Sequence, residues 1–295
     1  MKDAAVATKL AEFYQNTRQA LLDLRGPHGH WEGELSSSAL STATAVMALD
    51  LFLSSQCRQT RGAGIAHHVP AEAEPHIATL ISRGLAWLAD TQNRDGGWGD
   101  TVLSKSNIST TALVWAAFSG GDEPYAAAIG RCEAWLRDAA GDIEPKILAQ
   151  AIAARYGRDR TFSVPILTTL ALRNRLGPGE IAWKLVPQLP FELAALPQRW
   201  YGKLKLPVVS YALPALIAIG QVKHALAPGR NPIARCVRNA VKERTLRVLE
   251  SIQPASGGFL EATPLTSFVV MSLASVGQAR HPVVRRGVEF SVASA

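Results

Sequence analysis

One stretch constrains this chain more than any other: Arg83-Gly84-Leu85-Ala86-Trp87-Leu88-Ala89-Asp90-Thr91-Gln92-Asn93-Arg94-Asp95-Gly96-Gly97-Trp98. Residues 76–91 set Ile77, Leu80, Ile81, Leu85, Trp87 and Leu88 at helical spacing, so the stretch opens as an amphipathic helix. The run Asn93-Arg94-Asp95-Gly96-Gly97 must then stop it, because adjacent glycines tolerate positive φ. Gln92 stands where a side-chain amide reaches the backbone groups that a helix end leaves free, and Trp98 can stack over the next helix start. A capped helix with an aromatic plug explains one such element. The chain, however, repeats it.

Taken in order, residues 4–24 read as a first helix with Val6, Leu10, Phe13, Leu21 and Leu22 on its apolar side, ended by Gly26-Pro27-His28-Gly29 before Trp31. Ser36, Ser37 and Ser38 offer an N-cap to a small-residue helix running to Leu49, and residues 56–75 read as a polar loop. After Trp98 come Asp100 and a helix over 109–117. Later, Arg247 to Gln253 leads through Gly257-Gly258 to Phe259, Glu261 and an apolar helix from Thr263. Residues 131–142 look like a further, eroded copy. A helix, a Gly-aromatic turn, an acidic residue and a Ser/Thr-headed helix in series predict an all-α array of helical hairpins, each needing neighbours to bury its face.

The stretch 183–226 breaks the pattern, with Pro187, Pro190, Pro197, Pro207 and Pro214 set among aromatic and aliphatic residues. A buried pair of Pro-kinked helices would produce it. So would a surface that dips into one bilayer leaflet, or a wall against a sizeable apolar substrate. No Pro-free, uncharged run of about 20 apolar residues is present, so no membrane span is expected.

The net charge is 31 − 24 = +7, concentrated late in Arg230, Arg235, Arg238, Lys242, Arg244, Arg247, Arg280, Arg285 and Arg286. Such a surplus suits nucleic acid, anionic lipid or a pyrophosphate. Nucleic acid is not expected, because no aromatic residues interleave with these cations and no nucleic-acid module motif occurs. Cys57, Cys132 and Cys236, an odd number at wide spacing, suit a reduced cytoplasmic protein, and the N-terminus lacks the apolar run of a signal peptide. His28, His30, His67, His68 and His76 have no cysteine or carboxylate at ligand spacing, so no metal and no cofactor is expected.

The element at 83–98 matches the QW motif of the squalene–hopene and oxidosqualene cyclases, and the resemblance extends along nearly all of the chain. Trp31 to Leu49 resembles the family's first turn and following helix. Asp142-Ile143-Glu144 resembles an eroded Gly-Gly-Ile-Glu turn, and residues 186–226 resemble a proline-rich, membrane-associated segment. The resemblance implies an α/α barrel, with 25–240 as one barrel and 1–24 and 241–295 belonging to, or packing on, a second. It also implies a protein held monotopically on the membrane surface, and acid-initiated cyclisation of squalene or a related isoprenoid.

Such cyclisation needs a protonated carboxylic acid, aromatic faces for the cations and a dry cavity. The family's acid motif, Asp-x-Asp-Asp, does not occur here, and neither does the Asp-rich motif of class I terpene synthases. Residues 286–295 resemble the front half of another QW element. The expectation is therefore a half-cyclase whose acid comes from a second subunit or a C-terminal half. If the chain cyclises alone, Glu34 and Glu261 are the candidate acids, although an acidic residue near a helix N-terminus also has a purely structural role. Trp31, Phe162, Trp183, Trp200, Tyr211 and Phe259 are candidate cavity walls or plain core. The alternatives are an isoprenoid- or lipid-binding scaffold without catalysis, and a single-barrel cyclase with a non-standard glutamic acid.

Overall fold

The computed structural model describes residues 2–27, 29, 31, 36–62, 73–118, 123–157, 159–197 and 212–295, and all regular structure among them is helical. The all-α expectation therefore holds. The helices are α1 (Lys2–Asp23), α2 (Ala39–Gly62), α3 (Ala73–Asp90), α4 (Ile108–Ala117), α5 (Ala126–Ala140) and α6 (Pro145–Tyr156). They continue as α7 (Arg160–Leu172), α8 (Gly179–Lys184), α9 (Leu213–Leu226), α10 (Pro232–Ser251), α11 (Thr263–Ser275) and α12 (Pro282–Ala293). Contacts divide the chain into two units, Met1–Ser37 and Ser38–Ala295.

Local chemistry sets the helix starts. Ser38 Oγ accepts from Ser41 N at 3.1 Å, so the serine cap read from the sequence opens α2. Asn107 caps α4 through Ser109 N and Thr110 N, and Glu144, Asp159 and Asn231 cap α6, α7 and α10 in the same way. Proline follows directly at Pro145 and Pro232, where its missing N–H costs nothing. One expectation fails at a helix end. Residues 56–62, read as loop, continue α2 to Gly62. Ser55 and Gln56 are buried, and nothing between Gln56 and Gly62 breaks a helix, so a polar composition alone does not mark a loop.

In the larger unit, α2, α4, α7, α9 and α11 form a succession in which each packs on the next, and α11 packs extensively back on α2. Every residue of α4 is buried, as are residues 163–171 of α7, which is what an apolar helix surrounded by others requires. Against this succession lie α3 on α2, α5 on α4, α10 on α9 and α12 on α11. Each of these four outer helices carries a small residue at its contact. A Cβ at Gly84 would sit 2.5 Å from Val46 Cγ2, and one at Gly287 would sit 2.7 Å from Val270 Cγ2. Cys132 Sγ lies 3.8 Å from Thr111 O, and Gln221 Nε2 donates to Thr245 Oγ1 at 2.9 Å. The basic-then-small signature thus marks where an outer helix meets the inner one closely.

At one end of the succession, two arginines bind the last carbonyls of α4. Arg173 donates to Ala116 O at 3.2 Å and pairs with Asp50 of α2. Arg175 donates to Trp115 O from Nε at 3.1 Å and Nη2 at 2.8 Å, with its guanidinium 4.3 Å from the Trp115 ring centre. Residues 183–197 form the end of α8 and a short 3₁₀ turn, Phe191–Ala195, and residues 198–211 of the proline-rich stretch lie outside the described residues. No described helix is long and apolar enough to cross a membrane.

The α12 cap gives a pH prediction. His281 Nδ1 accepts from Val283 N at 3.3 Å, which requires an unprotonated nitrogen. Burial holds the imidazole below its ordinary value of 6.5 and Arg286 acts the same way, against the opposing pull of Glu250 and Glu243. A depressed folded-state value means that the unfolded chain binds the proton more readily. The stabilisation is therefore present above pH 6.5 and lost as pH falls below it. Melting temperatures measured at pH 7.5 and pH 5.5 should show a smaller acid loss for His281→Asn, which keeps a capping oxygen, than for the wild type; an equal loss would refute the assignment.

Candidate functional site

The Gly-aromatic turn between α3 and α4 is a dense polar knot. Gln92 Nε2 donates to Gly96 O at 2.7 Å and to Ala128 O, in the first turn of α5, at 2.9 Å. Arg131, also on α5, donates back to Gln92 Oε1, from Nε at 2.8 Å and also from Nη2. Asp95 collects Gly97 N at 3.1 Å, Ser106 Oγ at 2.7 Å and Trp135 Nε1 at 3.2 Å. Desolvation pushes the Asp95 carboxyl upward, but those donated hydrogen bonds outweigh it and leave it below its ordinary value. Trp98 is buried. Its Nε1 donates to Leu88 O at 2.8 Å, while its backbone N donates to Thr111 Oγ1 at 3.0 Å.

The turn between α10 and α11 repeats this bonding. Gln253 Nε2 donates to Gly257 O at 2.8 Å and to Val283 O, in the first turn of α12, at 3.0 Å. Phe259 N donates to Thr266 Oγ1 at 2.9 Å, as Trp98 N does to Thr111. Gly96 and Gly257 have φ of +90° and +87°. A Cβ on Gly96 would lie 2.7 Å from Arg131 O, and one on Gly257 would meet Arg286 O, so both turns press backbone against the next outer helix. In the second copy Ser256 takes the position of Asp95, accepting from Gly258 N at 3.3 Å, and the Phe290 ring covers Gly258 where Trp135 serves the first. In the smaller unit Trp31 Nε1 donates to Leu21 O at 2.5 Å, the same ten-residue separation as Trp98 to Leu88.

The sequence-derived candidates are scattered. Glu34, Trp200 and Tyr211 lie outside the described residues. Trp31 is 47% exposed, with Arg25 at 5.7 Å from its ring centre. Phe162 is 54% exposed and stacks on Tyr156 at 5.8 Å. Phe259 is buried in the turn just described. Trp183 is buried beneath Lys223, whose Nζ donates to Trp183 O and lies 5.9 Å from the ring centre. Burial pushes the Lys223 ammonium below the usual lysine value, against the pull of Glu180. Glu261 is exposed and accepts from Ser256 Oγ at 2.6 Å. Glu261 and its neighbour Leu260 have φ of +52° and +56°, a strained conformation for side-chain-bearing residues.

Sequence reasoning missed the Asp95 hub and the Arg131–Gln92 pairing. The signal was available: Arg131, Cys132, Trp135 and Leu136 repeat the spacing of Arg83, Gly84, Trp87 and Leu88. Burial pushes the Cys132 thiol well above its ordinary value, so it is packing and not a nucleophile. Among the described residues, no group of three or more His, Cys, Asp or Glu side chains is placed to hold a metal. The chain matches no protein-family model and no curated protein.

Substitutions at the two turns should separate plug from clamp. Trp98→Phe, which mimics Phe259 but leaves Leu88 O without its donor, should cost about 1–2 kcal/mol, and Trp98→Ala about 3–5 kcal/mol. Urea denaturation reads both. A Trp98→Phe variant as stable as the wild type would show that the indole N–H does not matter, and equal costs for the two variants would show that the ring's packing does not.

Proposed function

We propose that this chain is an α/α toroid of the squalene-cyclase type, working as the acid-free half of a class II terpene cyclase. The observation that carries the reading is the shared bonding of the turns at 92–98 and 253–259, which matches what a QW motif asks of its glutamine, glycines and aromatic residue. The inner succession α2, α4, α7, α9 and α11, with α11 returning to α2 and an outer helix on four of its members, supports the toroid. In this reading the clamps hold the outer helices against each other while an exothermic reaction proceeds beside them.

A partner is part of the proposal. No Asp-x-Asp-Asp occurs in the sequence, and Glu261 is exposed rather than enclosed in the dry cavity that acid-initiated cyclisation needs. The partner supplies the proton, and this half supplies cavity wall and contact with the membrane surface through its proline-rich stretch. No metal or redox cofactor enters the proposed reaction, in which a proton adds to an alkene or epoxide and leaves again at the end.

Incubation with squalene, followed by product analysis by gas chromatography–mass spectrometry, tests this directly. The chain alone should return squalene unchanged, and the chain co-expressed with a polypeptide bearing Asp-x-Asp-Asp should yield cyclised product. Cyclisation by the chain alone would overturn the partner requirement. Unchanged squalene retained under both conditions would favour a lipid-binding scaffold.

A further inference from the structure

The two Gly-aromatic turns are built alike but not finished alike. Gln92 and Gln253 each donate from Nε2 to a glycine carbonyl of their own turn and to a carbonyl in the first turn of the next outer helix, Ala128 O or Val283 O. Three residues after that acceptor stands an arginine, Arg131 on α5 and Arg286 on α12. The arginines also start from the same place. A Cβ on Gly96 would lie 3.2 Å from Arg131 Cβ, and one on Gly257 would lie 3.2 Å from Arg286 Cβ. Two bonds from Nε2 fix the plane of each amide, so Gln253 Oε1 is aimed at the α12 arginine as Gln92 Oε1 is aimed at Arg131.

The guanidinium groups then diverge. Arg131 donates from Nε to Gln92 Oε1 at 2.8 Å, and from Nη2 as well. Arg286 instead donates from Nη2 to Glu250 Oε1 at 3.0 Å, while Gln253 Oε1, enclosed, has no hydrogen-bond partner among the described residues. An orphaned buried amide oxygen is uncommon and costly. Glu250 accounts for it. This residue lies three before Gln253, where the first copy has Ala89, whose side chain accepts nothing. The Glu250 and Arg286 side chains are each 38% exposed, so their pairing is of the weak, solvent-facing kind. A half-exposed ion pair has taken the donor that an enclosed oxygen lacks. The two arrangements of Arg286 compete, and Glu250 decides between them.

We infer that Arg286 is a two-position latch. Glu250 holds it off the second clamp, and removal or screening of that carboxylate lets Arg286 close onto Gln253 Oε1, finishing the clamp as Arg131 finishes the first. Salt is the lever, because added ions screen a half-exposed pair far more than an enclosed hydrogen bond. The attachment of α12 therefore tightens with ionic strength, whereas α5, whose arginine is already on its glutamine, has no such step. The inference rests on the bonding of the turns alone and holds whether or not the chain takes part in cyclisation.

Urea unfolding of the full chain tests the latch. At low salt Arg286→Ala should change the folding equilibrium constant little, because only the exposed pair is lost. In a Glu250→Ala background the same change should lower that constant about tenfold, the loss of a charged hydrogen bond to an enclosed acceptor. Adding Gln253→Ala to that background should abolish the loss, which identifies the acceptor. Sodium chloride should increase the cost of Arg286→Ala in the wild type and leave it unchanged in Glu250→Ala. The first turn supplies the mirror case: Arg131→Ala should cost about tenfold in the wild type and little in Ala89→Glu. A crystal structure of Glu250→Ala should place the Arg286 guanidinium within hydrogen-bonding distance of Gln253 Oε1. Finding it turned to solvent there, or finding Arg286→Ala equally costly with and without Glu250, would overturn the inference.

Discussion

In both Gly-aromatic turns one side-chain amide nitrogen lies between two backbone carbonyls, one in its own turn and one in the next outer helix. The geometry makes a single residue responsible for two things. It closes the turn that ends one outer helix, and it ties that turn to the first residues of the outer helix that follows the intervening inner one. A hydrogen bond of this kind contributes only about 0.5–1.5 kcal/mol, but its placement is selective. The glycine at positive φ and the small residue one helix away exist to let backbone approach backbone there. The aromatic residue then fills what remains.

From that constraint the packing follows. Because a turn is fixed to the next outer helix, the inner helix between them has little choice of position, and α4 and α11 are accordingly buried on nearly all sides. Repetition of one clamp can hold the described helices together in this way. The four small contact residues, Gly84, Cys132, Thr245 and Gly287, differ in chemistry but share size, which shows that the contact selects volume. The exchange of Asp95 for Ser256 and of Trp135 for Phe290 between the turns follows the same rule: the positions persist while the partners trade.

Much of this was legible in the sequence because the pattern is local. Helical spacing, paired glycines and the serine cap set α3, α4 and the starts of α2 and α11 within a few residues of their observed limits. What the sequence could not supply was the identity of the partners across space. Gln92 was recognisable as a helix-end group, but its acceptor, Ala128, is set by how α5 lies on the turn. Helix α2 runs past Gln56 because none of residues 57–61, polar as they are, breaks a helix. His224 and Gln221 read as ordinary residues on an apolar helix until α10 enclosed them. The candidate cavity aromatics were legible as aromatics only; exposure separates Trp31 and Phe162 from Trp183 and Phe259, and periodicity carries no such information.

The central claim is that the two glutamine clamps belong to one cooperative unit joined where α11 packs on α2. Urea unfolding of Gln92→Ala, Gln253→Ala and the double variant, followed in parallel by tryptophan fluorescence and far-ultraviolet circular dichroism, tests it most directly. The account predicts one coincident transition in every variant, with each single change costing about 1–3 kcal/mol of the same global stability. Two separated transitions, or a loss at Gln253 that leaves the fluorescence midpoint of the α3–α5 tryptophans unmoved, would contradict it.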